Sequence, residues 1–148
     1  MNQLNIDFSD PEFGWIIISV DNGVDSITIE ADSKFNSFQE LTMGLFVLTS
    51  EDNQFTVTWL EEPDVTEWRF TKFAEDIVFE NWRLPFAKTA ELKMQFSGSF
   101  QEVCIPFWRA LQALKNRWER AELEKSLEDD FPFIDLERLT AEIESRTL

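Results

Sequence analysis

Histidine and tyrosine are absent from this chain of 148 residues, and cysteine occurs once, at Cys104. Without histidine, the chain cannot form Ser–His or Cys–His nucleophilic pairs, and it lacks a common zinc ligand and general base. A single cysteine excludes an internal disulfide and a thiolate metal cluster, and Cys104 is expected to be an inert buried thiol. We therefore expect no metal and no cofactor. An enzyme would have to work with carboxylates alone, so we predict that the protein is not an enzyme.

Glycine is also scarce, and the four glycines are Gly14, Gly23, Gly44 and Gly98. Their spacing matches neither the P-loop nor the dinucleotide-binding pattern. The longest apolar runs, among them Trp15–Ile18, are far too short to span a membrane. Residues 1–13 are acidic and polar and show no basic region followed by an apolar run, so no secretory signal is predicted. The expected location is the cytoplasm.

Acidic residues dominate the charge, with 29 Asp and Glu against 13 Lys and Arg, for a net charge of −16. Nucleic acids and anionic membrane surfaces are bound through positive patches, so neither is expected as a partner. A basic protein partner is compatible with this acidity, although high net charge also serves solubility. The composition therefore favours protein binding over nucleic-acid binding.

The stretch Phe55–Phe73 alternates apolar and polar residues on both sides of a Pro-Asp turn. This pattern predicts an antiparallel hairpin with one wet face and one face buried through Trp59 and Trp68. Asn22-Gly23 predicts another tight hairpin turn upstream. Further strands are predicted at Trp15–Val20, Asp25–Asp32, Ile77–Leu84 and Ala90–Phe96.

Two capping boxes, Ser37–Glu40 and Ser99–Glu102, predict helix starts before apolar residues at helical spacing. The alternation slips within Ile77–Leu84, which predicts a bulge near Glu80-Asn81. We predict a single α+β domain over residues 1–148, with an antiparallel sheet of about six strands and two to three helices packed on one face. Residues 1–13 form an edge strand or an extended arm, and residues 128–148 form a C-terminal clip and a short helix.

The acidic turn of the central hairpin contains Glu61, Glu62 and Asp64. It is either a solvated turn or a surface for a basic partner, with a weak cation site as a further alternative. An exposed edge strand at Leu4–Ser9 could pair with a second copy, so the sequence is compatible with a monomer and with a dimer.

Two arginines, Arg69 and Arg83, lie in predicted strands among acids and aromatic residues. Each is expected to form an ion pair across the wet face with a strand carboxylate, the candidates being Glu67, Glu80 and Glu91. A substrate clamp is the alternative. Trp82 interrupts the alternation of its strand, so it is either a core residue or part of an aromatic platform.

The order of landmarks resembles a family of small uncharacterised bacterial proteins. The resemblance runs from Trp15 to about Leu139 and includes Glu62-Pro63 followed by Trp68, and a late F-P-[FL]-x-x-L segment beginning at Phe131. Asp129-Asp130 stands where the family often has a histidine. Some members look like immunity proteins, which neutralise bacterial toxins.

The sequence therefore leaves two functional hypotheses. The first is a non-catalytic acidic protein-binding module, such as an immunity-like inhibitor of a basic toxin domain, that binds through Glu61, Glu62, Asp64, Arg69 and Trp82. The second is a domain that binds a sugar or an amine through tryptophan and carboxylates on the open face of the sheet.

Overall fold

A computed structural model describes residues 2–50 and 53–146. Within these residues the chain forms seven strands and five helices. The strands are β1 (Asn5–Phe8), β2 (Trp15–Asp21), β3 (Ser26–Asp32), β4 (Gln54–Leu60), β5 (Val65–Phe73), β6 (Asp76–Leu84) and β7 (Glu91–Gly98). The helices are α1 (Ser37–Leu48), the single-turn α2 (Phe100–Val103), α3 (Ile105–Asn116), α4 (Arg120–Leu127) and α5 (Phe133–Arg146). None of these helices is long and apolar enough to cross a membrane.

The strands form two antiparallel sheets, with the orders β1-β2-β3 and β4-β5-β6-β7. The α+β class and the antiparallel pairing are confirmed, but the prediction of one sheet of about six strands is wrong. Both predicted hairpins are present, and residues 5–8 form an edge strand rather than a free arm. The sheet divides where the chain leaves β3 and passes through α1 before it begins β4, because no ladder joins β3 to β4.

The inner faces of both sheets contribute to one hydrophobic cluster. The Phe8 ring of β1 lies 5.2 Å from the Phe38 ring of α1 and 6.0 Å from the Trp59 ring of β4, measured between centroids. Trp59 and Trp68 are fully buried, which confirms their predicted place in the core. The cluster therefore joins the two sheets through side chains rather than through backbone pairing.

Phe107 of α3 fixes the four-stranded sheet to the helices. Its ring centroid lies 5.1 Å from Trp68, 5.0 Å from Phe70 and 5.0 Å from Phe79, and each contact is edge-on. Aromatic rings favour this geometry because the positive edge of one ring meets the negative face of the next. One side chain of α3 thus contacts β5 and β6 together.

The first predicted capping box does not form. Ser37 Oγ donates a hydrogen bond to the carbonyl of Thr58, and Glu40 Oε1 accepts one from the Thr58 amide at 3.0 Å. Both side chains therefore bind the outer edge of β4 instead of the start of their own helix. One turn later, Gly44 packs against the Phe55 ring, where an added Cβ would lie 2.0 Å from Cδ2.

A register shift lies beside the predicted position of the bulge, between Asn81 and Trp82 in the pairing of β6 with β7, but the extra residue is not on β6 as predicted. β6 pairs regularly with β5 along its whole length, and the irregularity lies in β7, where Lys93 is the extra residue between Met94 and Leu92. Asn81 continues the inward face of β6 and is 2% exposed. A buried polar residue therefore interrupts the hydrophobic alternation without interrupting the strand.

The second capping box forms as predicted. The Ser99 amide donates to Glu102 Oε1 at 3.0 Å, and the Glu102 amide donates to Ser99 Oγ at 3.2 Å. The apolar residues at helical spacing that follow this box are divided among α2, α3 and α4. Pro106 lies in the first turn of α3, where its missing N–H leaves no hydrogen bond unmade.

The C-terminal segment forms the predicted clip, but its helix is longer than the sequence suggested. The Phe131 ring packs 5.5 Å from Phe38 and 4.9 Å from Phe133, again between centroids. α5 then runs for 14 residues, the greatest length among the described helices. Its buried residues, Leu136, Leu139 and Ile143, follow helical spacing.

Candidate functional site

In the hairpin tip, Glu61–Asp64, two of the three carboxylates accept hydrogen bonds from other groups of the same chain. Asp64 accepts from Arg83 at 2.5 Å and from the Phe86 amide at 3.0 Å. Glu61 Oε2 accepts from the Thr66 hydroxyl at 2.7 Å. Of the three predicted contact acids, Glu62 is the exposed one. The tip therefore presents less free negative charge than its sequence indicates.

The Arg83–Asp64 pair corrects the prediction that Arg83 binds Glu67, Glu80 or Glu91. Arg83 lies opposite Thr66 on the inward side of β6, whereas Glu67 and Glu80 belong to the outward side. At the end of the strand, its side chain therefore meets the carboxylate of the tip. This bond raises the pKa of Arg83 from its usual value.

A pH-dependent contribution to stability is expected from Asp64. Hydrogen bonds from the Phe86 amide and then from Arg83 hold the pKa of Asp64 below its usual value. A carboxyl group whose pKa is lower in the folded than in the unfolded state stabilises the fold. This contribution is fully present above the pKa of the unfolded state and is lost as the pH falls through the pKa of the folded state. Asp64→Asn should therefore lower the urea midpoint at pH 7, and the difference from the wild type should shrink below about pH 4.

Glu62→Gln is the matched control for this measurement, because it removes one carboxylate two residues away from Asp64. It should leave the urea midpoint close to that of the wild type at both pH values. If the urea midpoint of Asp64→Asn stays below that of the wild type by the same amount down to about pH 2.5, the stability contributed by Asp64 does not come from its ionisation.

Arg69 and Trp82 meet on the outward face of the four-stranded sheet. Arg69 Nε lies 2.5 Å from Glu67 Oε1, which confirms the predicted ion pair with a strand carboxylate. The guanidinium carbon is 4.6 Å from the centre of the Trp82 ring, and Trp82 Nε1 donates to Glu80 Oε1 at 3.3 Å. The structure therefore brings Arg69 and Trp82 together, on the face opposite to that of Arg83.

A larger exposed surface lies on the three-stranded sheet. We call it the acidic outer face and define it by Asp7, Phe13, Trp15, Ile17, Asp21 and Glu30. Trp15 and Ile17 alternate outward along β2 and are 39% and 44% exposed, while Phe13, just before β2, is 83% exposed. In the register, Glu30 lies opposite Ile17. An open cleft of about 290 Å³ adjoins these residues and also includes Asp10 and Glu12.

Two basic side chains approach this face and its cleft. Lys34 Nζ lies 3.1 Å from the Asp32 carboxylate and 5.5 Å from the centre of the Trp15 ring. Arg117 Nε lies 3.0 Å from Asp10 Oδ1 at the edge of the cleft. Strands β1 to β3 themselves contain neither lysine nor arginine. Asp7, Asp21 and Glu30 are all exposed, so the face combines apolar contact area with negative charge.

The sequence prediction missed this surface because the run Trp15–Val20 is apolar at almost every position. Such a run is typical of a strand that is buried on both faces. In the structure Ile16, Ile18 and Val20 face the core, and the alternate residues Trp15 and Ile17 face outward. The sequence feature that could have indicated this surface is Phe13, an aromatic residue just before the strand. In the structure it is exposed and extends the apolar surface beyond β2.

The remaining candidate chemistry is limited. Within residues 2–50 and 53–146, no three His, Cys, Asp or Glu side chains come together in a group that could hold a metal ion. Cys104 is buried, as predicted, and burial raises the pKa of its thiol. A neutral thiol is a poor nucleophile and a poor metal ligand.

No protein-family model, curated protein or solved structure matches the chain. The resemblance to immunity-type proteins therefore stays a prediction from sequence landmarks.

Proposed function

We propose that the protein is a non-catalytic acidic protein-binding module that engages a basic partner, in the manner of an immunity-like inhibitor of a toxin domain. The observation that carries this proposal is the acidic outer face. Trp15 and Ile17 are exposed at the middle of it, and Asp7, Asp21 and Glu30 surround them. The proposed binding surface therefore lies on the three-stranded sheet, with the exposed Glu62 of the hairpin tip as a separate acidic contact.

The composition of this face suits a protein interface. Interface cores are enriched in aromatic residues and depleted in charged residues of both signs, and tryptophan is frequent among the residues that dominate binding energy. Carboxylates at the rim attract a basic partner and increase its association rate, and this effect weakens as salt screens the charges. Trp15 and Ile17 would supply the apolar contact, while the acids would select the partner.

Arg69 and Trp82 motivate the second candidate function, a sugar- or amine-binding site on the open face of the four-stranded sheet. The Arg69 guanidinium already lies 4.6 Å from the centre of the Trp82 ring, and its charge is paired with Glu67. A sugar that stacked on this side of Trp82 would have to displace a favourable cation–π contact. This arrangement favours the protein-binding proposal over the ligand-binding one.

The test is binding to the product of the neighbouring gene, purified and titrated by calorimetry. Ile17→Lys places a positive charge in the centre of the face and should weaken binding by roughly 30-fold or more, as expected for a central interface residue. Raising the salt concentration from about 50 to 500 mM should also weaken binding by the wild type.

Leu92→Lys is the matched control, because Leu92 is exposed to the same extent as Ile17, at 44%, but lies on the other sheet. It should change the affinity by less than about twofold. The proposal fails if the neighbouring product is not basic and shows no binding, if both lysine variants lose affinity equally, or if affinity is independent of salt.

A further inference from the structure

A second cleft lies between β3 and the inward side of β5 and β6, close to the hairpin tip. It has a volume of about 270 Å³ and is lined by Ile27, Thr28, Ile29, Glu61, Thr66, Asn81, Arg83 and Lys93. This volume is several times the roughly 30 Å³ that one water molecule occupies in the liquid. It is just below the range of about 300–1,000 Å³ that is typical for drug-sized ligands. The size therefore suits a small ligand.

The orientation of the Asn81 amide points to a ligand. Trp68 Nε1 donates to Asn81 Oδ1 at 2.6 Å, and an indole N–H can only donate, so the carbonyl oxygen of the amide must face Trp68. The NH₂ group therefore faces away from Trp68. It has no acceptor within residues 2–50 and 53–146, although Asn81 is only 2% exposed and lines the cleft. Among the described residues, the fully buried side-chain polar atoms without a partner are Trp59 Nε1 and Gln112 Oε1, so the Asn81 NH₂ group is open to the cleft and can donate to an acceptor from outside the chain.

Two cations of the cleft add further donors. Arg83 gives one N–H to Asp64, and Lys93 Nζ lies 2.7 Å from Glu91. A guanidinium carries five N–H donors and an ammonium three, so both retain donors for a ligand. Lys93 is the bulge residue of β7, and bulges frequently redirect a side chain beside a functional site.

The same cleft also contains a negatively charged acceptor and an apolar wall. The Glu61 carboxylate uses one oxygen for the Thr66 hydroxyl, and its other oxygen remains as an acceptor for a donor such as an ammonium group. Ile27 and Ile29 form an apolar wall beside these polar groups. The cleft therefore offers donors, an acceptor and an apolar surface within one small volume.

We propose that this cleft binds a small apolar α-amino acid. Its carboxylate would accept hydrogen bonds from Asn81, Arg83 and Lys93, its ammonium would bind Glu61, and its side chain would lie on the isoleucine wall. This site is separate from the acidic outer face and does not depend on the protein-binding function.

The test is a titration of the ¹⁵N-labelled full chain with each apolar amino acid, L-leucine among them, followed through the NMR signals of the Asn81 amide and the Trp68 indole. At least one amino acid should shift both signals saturably. For L-leucine, the analogues are 4-methylpentanoate, which lacks the ammonium, and isopentylamine, which lacks the carboxylate. Each analogue should bind about tenfold more weakly or worse, because it lacks one of the two charged groups that the cleft would bind.

Lys93→Gln should weaken the binding of that amino acid by about tenfold, since it removes a charged donor at an exposed position without disturbing the core. Lys125→Gln on α4 makes the same charge change away from the cleft and should leave affinity within about twofold. Saturable shifts that are lost in Lys93→Gln and kept in Lys125→Gln support the site. The proposal is overturned if no apolar amino acid shifts the two signals, if an analogue binds as tightly as its parent, or if both variants behave alike.

Discussion

Replacing Phe107 by alanine should lower the free energy of unfolding by about 3–5 kcal/mol, the usual cost of removing a buried phenylalanine ring. The loss should lie at the upper end of this range, because Phe107 is fully buried and contacts Trp68, Phe70 and Phe79 at once. These contacts hold α3 against the sheet, so the cavity would open at the centre of the aromatic cluster. Urea unfolding followed by tryptophan fluorescence measures the change.

Phe73 provides the matched control, because it is 63% exposed at the end of β5. Phe73→Ala should change the free energy of unfolding by no more than about 0.5 kcal/mol. Phe107→Leu should fall between the two, since leucine keeps part of the packing volume. Similar losses in Phe107→Ala and Phe73→Ala would contradict the central role of the Phe107 ring.

The second large effect is expected at Gly44, where alanine should destabilise the protein by about 1–3 kcal/mol through overpacking. In an exposed helix, the same change would stabilise by about 1 kcal/mol. Here the new Cβ would lie 2.0 Å from Phe55 Cδ2 and 2.4 Å from Cγ, so the whole ring would have to move. That ring is stacked on Phe70, with centroids 4.3 Å apart and planes within 7° of parallel.

A double-mutant cycle with Phe55→Ala separates the clash from helix propensity. In the Phe55→Ala background, Gly44→Ala should become stabilising, by about 0.5–1 kcal/mol, because the ring that blocks the Cβ is gone. Thermal unfolding of the four proteins gives the coupling energy. A stabilising effect of Gly44→Ala in the presence of Phe55 would show that the ring yields without cost.

The parts of the fold that were predictable from sequence are those fixed by neighbouring residues. Asn22-Gly23 joins β2 to β3 as expected, and the alternation in Phe55–Phe73 identified both arms of the central hairpin and its buried tryptophans. The Ser99–Glu102 capping box also depends only on residues within one turn. In each case the partners are close in the chain, so the pattern contains the whole interaction.

The division into two sheets was not predictable in the same way, because alternation shows which face of a strand is buried and not which strand lies beside it. The two capping-box sequences illustrate the same limit. Ser37 and Glu40 have the same spacing as Ser99 and Glu102, yet they bind Thr58, a residue distant in sequence. A competing long-range partner leaves no local signal.

The candidate surfaces were only partly visible for a related reason. Asn81 looked like a break in strand alternation, although it is an inward residue held by Trp68. Trp15 and Ile17 could not be distinguished from core residues, since an apolar contact surface and a buried face have the same composition. Of the predicted contacts, the Arg69–Glu67 ion pair could be predicted from sequence, because the two residues lie two positions apart on one side of the same strand.

The hydrogen bonds from α1 to Thr58 have a consequence for how this chain meets other chains. A free sheet edge can template the addition of a foreign strand and so lead to aggregation. On β4 the Thr58 amide and carbonyl are already occupied by Glu40 and Ser37, and on the opposite edge β7 contains a bulge at Lys93, a device that turns an edge strand away from further pairing. Both edges of the larger sheet are therefore protected against the addition of a further strand, one by hydrogen bonds and the other by a bulge. In a chain with so many apolar and aromatic residues, this protection acts together with the net charge against fibril-like growth.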